Sequence, residues 1–183
     1  MSLENISIQR DLILGENVNS CSVKDIIKSI MDINYDDDIK CKEFSGFQKL
    51  PINLYINTYG GSVYDGFGLI NIIKASKTPI YTYVVGEAMS MGLPILVSGT
   101  KRFAYKYSTI MYHEISTFMW DKLESIKQDL KEGERLQVIL DSIILNNTQI
   151  LKEKLDNVKE RKIDWYISAE EALKLGIIDE IIG

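Results

Sequence analysis

Histidine is nearly absent from this chain: among its 183 residues there is one, His113. One imidazole and two cysteines, Cys21 and Cys41, are too few for a His-rich catalytic zinc site, and the His-Glu-x-x-His pattern is missing. The Gly-x-x-x-x-Gly-Lys-Ser/Thr pattern of an ATP-binding loop is missing as well. We therefore expect neither a metal nor a cofactor, and any imidazole that acts as a general base must belong to His113.

The sequence also lacks long apolar runs, an excess of positive charge and the several cysteine pairs of a disulfide-rich protein. No apolar run approaches the roughly 18 residues of a membrane span. The 21 basic residues are outnumbered by 26 acidic ones, and the net charge of -5 argues against a nucleic-acid partner. Residues 1–10 have no basic-then-apolar leader, and two cysteines make no disulfide framework, so we expect a cytoplasmic protein.

What the sequence does contain is typical of one globular domain, which we expect to span residues 1–183. Residues 52–57 and 80–85 have the patterning of strands, and each is followed by a glycine-containing turn and then a helix. Such strand–turn–helix repeats predict an α/β fold with helices on the faces of a sheet. Seven of the 12 glycines lie between residues 60 and 99, and turns at strand ends are where this class of fold places its site.

The remaining segments give coarser expectations. We expect a strand at 11–14, a helix at 23–31 and a polar surface loop at 34–46, whose acidic run at 36–38 lies in solvent. Helical spacing continues from Asp121 to Leu155, about 50 Å at 1.5 Å per residue, which is long enough to protrude or to pack on a partner. Ser168 to Glu171 is a capping box that opens a last helix, which Gly176 closes.

Three side chains and one turn carry candidate chemistry. Ser90 lies in the turn after the second strand, where it is either a displayed nucleophile or a helix cap. His113 ends an apolar strand, where a structural role is the simpler alternative, and Asp164 precedes Trp165 shortly before a helix. The turn at Gly60 exposes backbone N–H groups that can bind an oxyanion, or is only a turn. Taken together, in the chain order Ser, His, Asp, these three residues favour a catalytic triad more than any one of them does alone.

Five segments together resemble the family of ClpP, the proteolytic subunit of the Clp protease. Residues 54–63 are similar to its Tyr-Ile-Asn-Ser-Pro-Gly-Gly motif, and residues 86–92 to the Gly-x-Ala-x-Ser-Met-Gly/Ala segment around its nucleophile. Residues 110–113 resemble Met-Ile-His, residues 164–172 the aspartate segment, and residues 176–179 the Gly-Leu-Val/Ile-Asp that follows it. The resemblance implies a ClpP/crotonase-like α/β fold with a long protruding handle helix, in a handle region at about 114–155.

The resemblance also implies roles for particular residues. Ser90 would be the nucleophile, His113 the general base and Asp164 the carboxylate that orients the imidazole. Backbone N–H groups of Gly61 and Met91 would form the oxyanion hole. An extended peptide would bind by strand addition to two short segments, Ser62–Val63 and Ile115–Ser116.

For assembly, the resemblance implies a homo-oligomer of heptameric rings, stacked as a tetradecamer, that encloses the sites and works with an ATPase unfoldase. The polypeptide would be the substrate, with no nucleic acid and no membrane involved. Thr58-Tyr59 replaces Ser-Pro before the glycines, Glu114-Ile115 replaces Gln-Pro after His113, and residues 116–120 replace a glycine-rich stretch. These departures are typical of a divergent, phage-type member.

Four functions follow as alternatives. The first is a serine endopeptidase of this family that cleaves unfolded or extended polypeptides, and the second is a phage prohead or capsid-maturation protease on the same fold. The third is a crotonase-like acyl-CoA enzyme, which needs no Ser-His-Asp triad. The fourth is an inactive ring-forming scaffold.

Overall fold

The computed structural model describes residues 9–116 and 122–183. Within those residues the strands are β1 (Asp11–Leu14), β2 (Ile52–Thr58), β3 (Ile80–Met89), β4 (Lys101–Tyr105), β5 (Thr109–Tyr112), β6 (Trp165–Ser168) and β7 (Glu180–Ile182). The helices there are α1 (Ser20–Glu43), α2 (Val63–Ala75), α3 (Gly92–Leu96), α4 (Leu123–Asn147), α5 (Lys152–Arg161) and α6 (Ala169–Lys174). No helix in the described ranges is both long and apolar enough to cross a membrane.

The strands form one mixed sheet in which parallel pairing dominates. Five strands lie in the order β1-β2-β3-β4-β7, and every neighbouring pair among them is parallel. β3 is long enough to pair twice, with β4 along its first half and with β5 along its last residues. β6 adds antiparallel to β5. The succession of strand, turn and helix from β1 to α3 confirms the expected α/β class.

One layer of the core lies between the sheet and the first two helices, and the same buried cluster also includes residues of α3, α4, α5 and α6. The alternation of β2 turns its isoleucines and Leu54 toward this layer, where they are fully buried. α1 and α2 cover them with apolar residues three and four positions apart. These helix residues are Val23, Ile26, Ile30 and Ile33 on α1, and Leu69, Ile70 and Ile73 on α2. The opposite sheet face has a stacked aromatic row, with ring centroids 4.9 Å apart for Tyr55 and Tyr83 and 4.7 Å for Tyr83 and Phe103.

The prediction of a surface loop at 34–46 is wrong, because α1 continues without interruption to Glu43. Asp37 continues the buried stripe of that helix and is itself fully buried. Its carboxylate accepts hydrogen bonds from Arg10, at 3.1 and 2.5 Å, and from the Thr78 hydroxyl at 2.7 Å. Burial alone would raise the pKa of Asp37, but these hydrogen bonds outweigh it and hold the pKa below its ordinary value. Asp37, in the middle of the acidic run, is therefore part of a structural ion pair and does not lie in solvent.

The single long helix expected at 121–155 is also wrong, since two helices occupy the described part of it. α4 ends at Asn147 and α5 begins at Lys152. Between them the backbone N–H of Gln149 donates to the Leu175 carbonyl at 2.8 Å, and Ile150 is buried. Asp121, where the helix was expected to begin, lies outside the described residues. The last helix is as expected: Ser168 accepts from the Glu171 N–H at 3.2 Å, and Gly176 has a φ of 63°.

Candidate active site

Ser90 stands in a tight turn between β3 and α3. Its φ is 50°, in the left-handed region that residues other than glycine rarely adopt. Two hydrogen bonds hold this backbone: the Ser90 N–H donates to the Met111 carbonyl at 2.9 Å, and the Leu93 N–H donates to the Ser90 carbonyl at 3.1 Å. The turn thus fixes the direction of the Ser90 side chain before any ligand is present.

His113 meets Ser90 across the β3–β5 pair. Parallel pairing places Met89 opposite Met111, so that Ser90 and His113 both follow directly from the ends of paired strands. The Ser90 Oγ and the His113 Nε2 are 2.8 Å apart, which is hydrogen-bond distance. A half-buried hydroxyl in contact with a half-buried imidazole is an arrangement that can move a proton from oxygen to nitrogen.

Asp164 lies close to His113 along the sheet but does not bond to it. β6 pairs antiparallel with β5, with Trp165 opposite Tyr112, so Asp164 and His113 come next in the same register. Asp164 is exposed, and no hydrogen bond joins its carboxylate to His113 within the described ranges. Two other aspartates near the chain end are engaged elsewhere, Asp156 with two lysines and Asp179 with Arg102.

Gly60 packs directly against the Ser90 turn, and the neighbouring Gly61 packs against the backbone of Val18. The Val18 N–H donates to the Gly60 carbonyl at 2.7 Å, and the Ser62 N–H donates to the Val18 carbonyl at 2.8 Å. Because N–H groups alternate sides along an extended chain, the Gly61 N–H is directed away from Val18. In the described part of the chain neither that N–H nor the Met91 N–H donates a hydrogen bond, so both are available to a ligand.

A small cavity of about 70 Å³ opens beside Ser90. Three of the four residues expected to bind substrate line it, namely Val63, Ile115 and Ser116. Ser62 instead caps α2, where its hydroxyl accepts from the Asp65 N–H at 3.3 Å. Four other lining side chains are apolar: Met91, Pro94, Leu140 and Ile144.

Sequence reasoning missed the contribution of α4 to this cavity. Gln137, Leu140 and Ile144 follow one another at helical spacing and all line it. That spacing is visible in the sequence and indicates one helix face. It does not indicate that the face lies over Ser90.

Comparisons with known proteins identify the family of the chain. The family model described as Clp protease matches residues 2–183. The chain is 33% identical to the ATP-dependent Clp protease proteolytic subunit 2 of Prochlorococcus marinus (strain MIT 9312), over 97% of this chain and 83% of that protein. It is 38% identical to the ATP-dependent Clp protease proteolytic subunit of Deinococcus radiodurans, over 72% of this chain and 64% of that protein. It is 31% identical to subunit 3 of Synechococcus sp. (strain CC9902), over 97% of this chain and 84% of that protein. The chain therefore belongs to the Clp protease family, a family of peptidases.

Proposed function

We propose that this chain is a serine endopeptidase that hydrolyses unfolded or extended polypeptides, with Ser90 as nucleophile and His113 as general base. The observation that carries the proposal is the 2.8 Å separation of the Ser90 Oγ and the His113 Nε2. Among the four alternatives, it favours the two proteases over an acyl-CoA enzyme or an inactive scaffold, because neither of those requires a serine activated by an imidazole.

The chemistry follows from the positions of the donors and acceptors. The Ser90 Oγ attacks the scissile carbonyl carbon while its proton passes to the His113 Nε2. The carbonyl oxygen, now negative, accepts hydrogen bonds from the N–H groups of Gly61 and Met91. His113 then gives the proton to the departing amine, and water hydrolyses the acyl ester by the same route in reverse.

Asp164 is proposed to orient the imidazole. The β5–β6 register supports this role because it brings Asp164 alongside His113. A rotation of the Asp164 side chain toward the His113 Nδ1 would complete the triad, and no ion pair in the described chain opposes such a rotation. In that position the carboxylate would fix the imidazole tautomer and stabilise the imidazolium.

The substrate is proposed to bind as an added strand between Ser62–Val63 on one side and Ile115–Ser116 on the other. A side chain next to the scissile bond would enter the cavity beside Ser90. Since Met91, Pro94 and Leu140 line it, apolar side chains of moderate size should be preferred there.

For assembly we propose a homo-oligomer with cyclic symmetry, as heptameric rings that pair into a tetradecamer. α4 supports an interface role, because Leu130 and Val138 are 55% and 68% exposed on this helix. The relatives' names describe subunits of an ATP-dependent protease, so an ATPase unfoldase is the proposed partner. The cytoplasm is the proposed compartment, and the free state of Cys21 and Cys41 is compatible with it.

Labelling with a serine-reactive fluorophosphonate tests the proposal. The wild-type chain should be modified at Ser90, as located by mass spectrometry of the digested protein. Ser90→Ala should abolish labelling and lower peptide hydrolysis on the order of 10⁴-fold or more. Ser45→Ala, in an exposed loop, is the matched control and should behave as wild type. Undiminished hydrolysis by Ser90→Ala would exclude the proposed mechanism.

A further inference from the structure

Gln137 on α4 holds the peptide segment that follows His113. The backbone N–H of Ile115 donates to the Gln137 Oε1 at 2.8 Å. On its other side, the Gln137 Nε2 donates to the Asp141 Oδ1 at 2.8 Å and to the Tyr112 hydroxyl oxygen at 3.2 Å. Because a carboxylate only accepts and a backbone N–H only donates, these neighbours fix which end of the Gln137 amide faces Ile115.

The far side of this amide is anchored on rigid elements. The Tyr112 hydroxyl donates to the Asp141 Oδ1 at 2.6 Å, and the Lys159 Nζ donates to the Asp141 Oδ2 at 2.5 Å. Burial of Tyr112, together with its hydrogen bond to Asp141, raises the pKa of the phenol far above its ordinary value, so this hydroxyl remains a donor. The contacts join β5, α4 and α5 through side chains that are mostly buried.

We propose that Gln137 is a positioning residue for the peptide substrate, an inference that rests on the proposed function. In an extended chain the N–H groups of consecutive residues point to opposite sides. In the extended conformation that strand addition requires, an Ile115 N–H bound by Gln137 directs the backbone groups of Ser116 to the other side, where the added peptide strand would pair. Gln137 thereby sets the position of one wall of the cleft and does not touch the Ser90–His113 pair.

The segment after His113 differs from the related motif in a way that makes a hydrogen-bond acceptor necessary. Ile115 stands where the related motif has proline, which has no backbone N–H. Isoleucine introduces a half-buried N–H donor, and leaving that donor without an acceptor would destabilise the folded chain. The Gln137 Oε1 is that acceptor.

The test compares Gln137→Leu with Gln128→Leu, the same substitution at an exposed position of α4. Hydrolysis of peptides that extend on both sides of the scissile bond should fall about tenfold in kcat/KM for Gln137→Leu, mainly through KM, as expected for one lost hydrogen bond that leaves its donor unpaired. The rate of labelling by a small fluorophosphonate, which needs Ser90, His113 and the oxyanion hole but no extended substrate, should stay within about twofold. Gln128→Leu should match the wild type in both assays.

A second background isolates the contact itself. In Ile115→Pro the donor is gone, so adding Gln137→Leu should reduce kcat/KM by much less than it does in the wild type. If Gln137→Leu cleaves extended peptides as the wild type does, or if labelling falls as much as cleavage, the positioning role is overturned while the proposed function stands. If the wild type is neither labelled nor active, the proposed function is overturned and this inference with it.

Discussion

The close packing of Gly60 on the Ser90 turn makes Gly60→Ala the sharpest perturbation that leaves the proposed catalytic side chains chemically unchanged. A Cβ at Gly60 would lie 2.6 Å from the Ser90 Cβ, 2.8 Å from the Met89 carbonyl oxygen and 2.9 Å from the Met91 nitrogen. Two of these three atoms belong to backbone, so the new methyl group cannot be accommodated by rotating a side chain. The Ser90 turn must move instead.

The predicted loss in the free energy of unfolding of Gly60→Ala has two parts. Gly60 has a φ of 102°, which alanine adopts at a cost of about 1–3 kcal/mol. Crowding of a packed site adds about 1–3 kcal/mol. Gly60→Ala should therefore lower the free energy of unfolding by about 2–6 kcal/mol. Displacing Ser90 by as much as 1 Å from His113 would reduce the rate of acylation about 100-fold.

Gly46→Ala separates the two parts. Gly46 also has a positive φ, of 87°, but among the described residues no atom beyond its chain neighbours lies within 4 Å of the Cβ position there. It should show only the conformational part, about 1–3 kcal/mol, with unchanged labelling of Ser90. Denaturant unfolding gives the free energies, and fluorophosphonate labelling gives the acylation rate. If Gly60→Ala is no less stable than Gly46→Ala and is labelled equally fast, the packing of the glycine turn on Ser90 does not determine the geometry of the site.

Two further predictions concern stability. Asp37→Asn leaves Arg10 without its buried counter-ion and should lower the free energy of unfolding by about 3 kcal/mol at pH 7. Because the pKa of Asp37 is lowered by folding, its contribution is complete above about pH 4, the ordinary pKa of Asp, and is lost as the pH falls further. The stability difference between the wild type and Asp37→Asn in denaturant unfolding should thus shrink progressively as the pH is lowered below about 4. Equal stability at pH 7 would contradict the ion-pair assignment. Gly133 lies within α4, and in the described part of the chain no atom outside its own helix turns lies within 4 Å of its Cβ position. Gly133→Ala should therefore stabilise the helix by about 1 kcal/mol and raise Tm, whereas a lower Tm would show that this position requires glycine.

The elements that the sequence predicted well are those whose signals are local. β2 and β3 are rich in residue types that favour strands. The turns after them contain glycine, which adopts backbone conformations that other residues rarely adopt. Ser90 was identifiable because it stands in such a turn, and His113 because it is the one histidine. Their roles remain predictions, to be decided by the labelling experiment.

The errors have tertiary causes. Three consecutive aspartates made the second half of α1 resemble a loop, and the compensation that keeps Asp37 in a buried helix face comes from Arg10 and Thr78, distant in sequence. The division between α4 and α5 is fixed by a hydrogen bond from Gln149 to Leu175, across the fold. No local sequence feature in the second half of α1, or at the junction of α4 and α5, indicates these distant partners.

The site itself depends on how one strand is shared. β3 is longer than the strand beside it, so its last residues are free to pair with β5 after β4 has ended. This second pairing brings Ser90 to His113, 23 residues further along the chain, and the antiparallel addition of β6 to β5 brings Asp164 to the same edge. Three residues that are far apart in sequence thus follow or precede the ends of three hydrogen-bonded strands. Backbone pairing fixes their mutual approach, and Gly60 packs against the turn that holds Ser90. A substitution that shifts the β3–β5 register would therefore separate Ser90 from His113 even with both side chains intact.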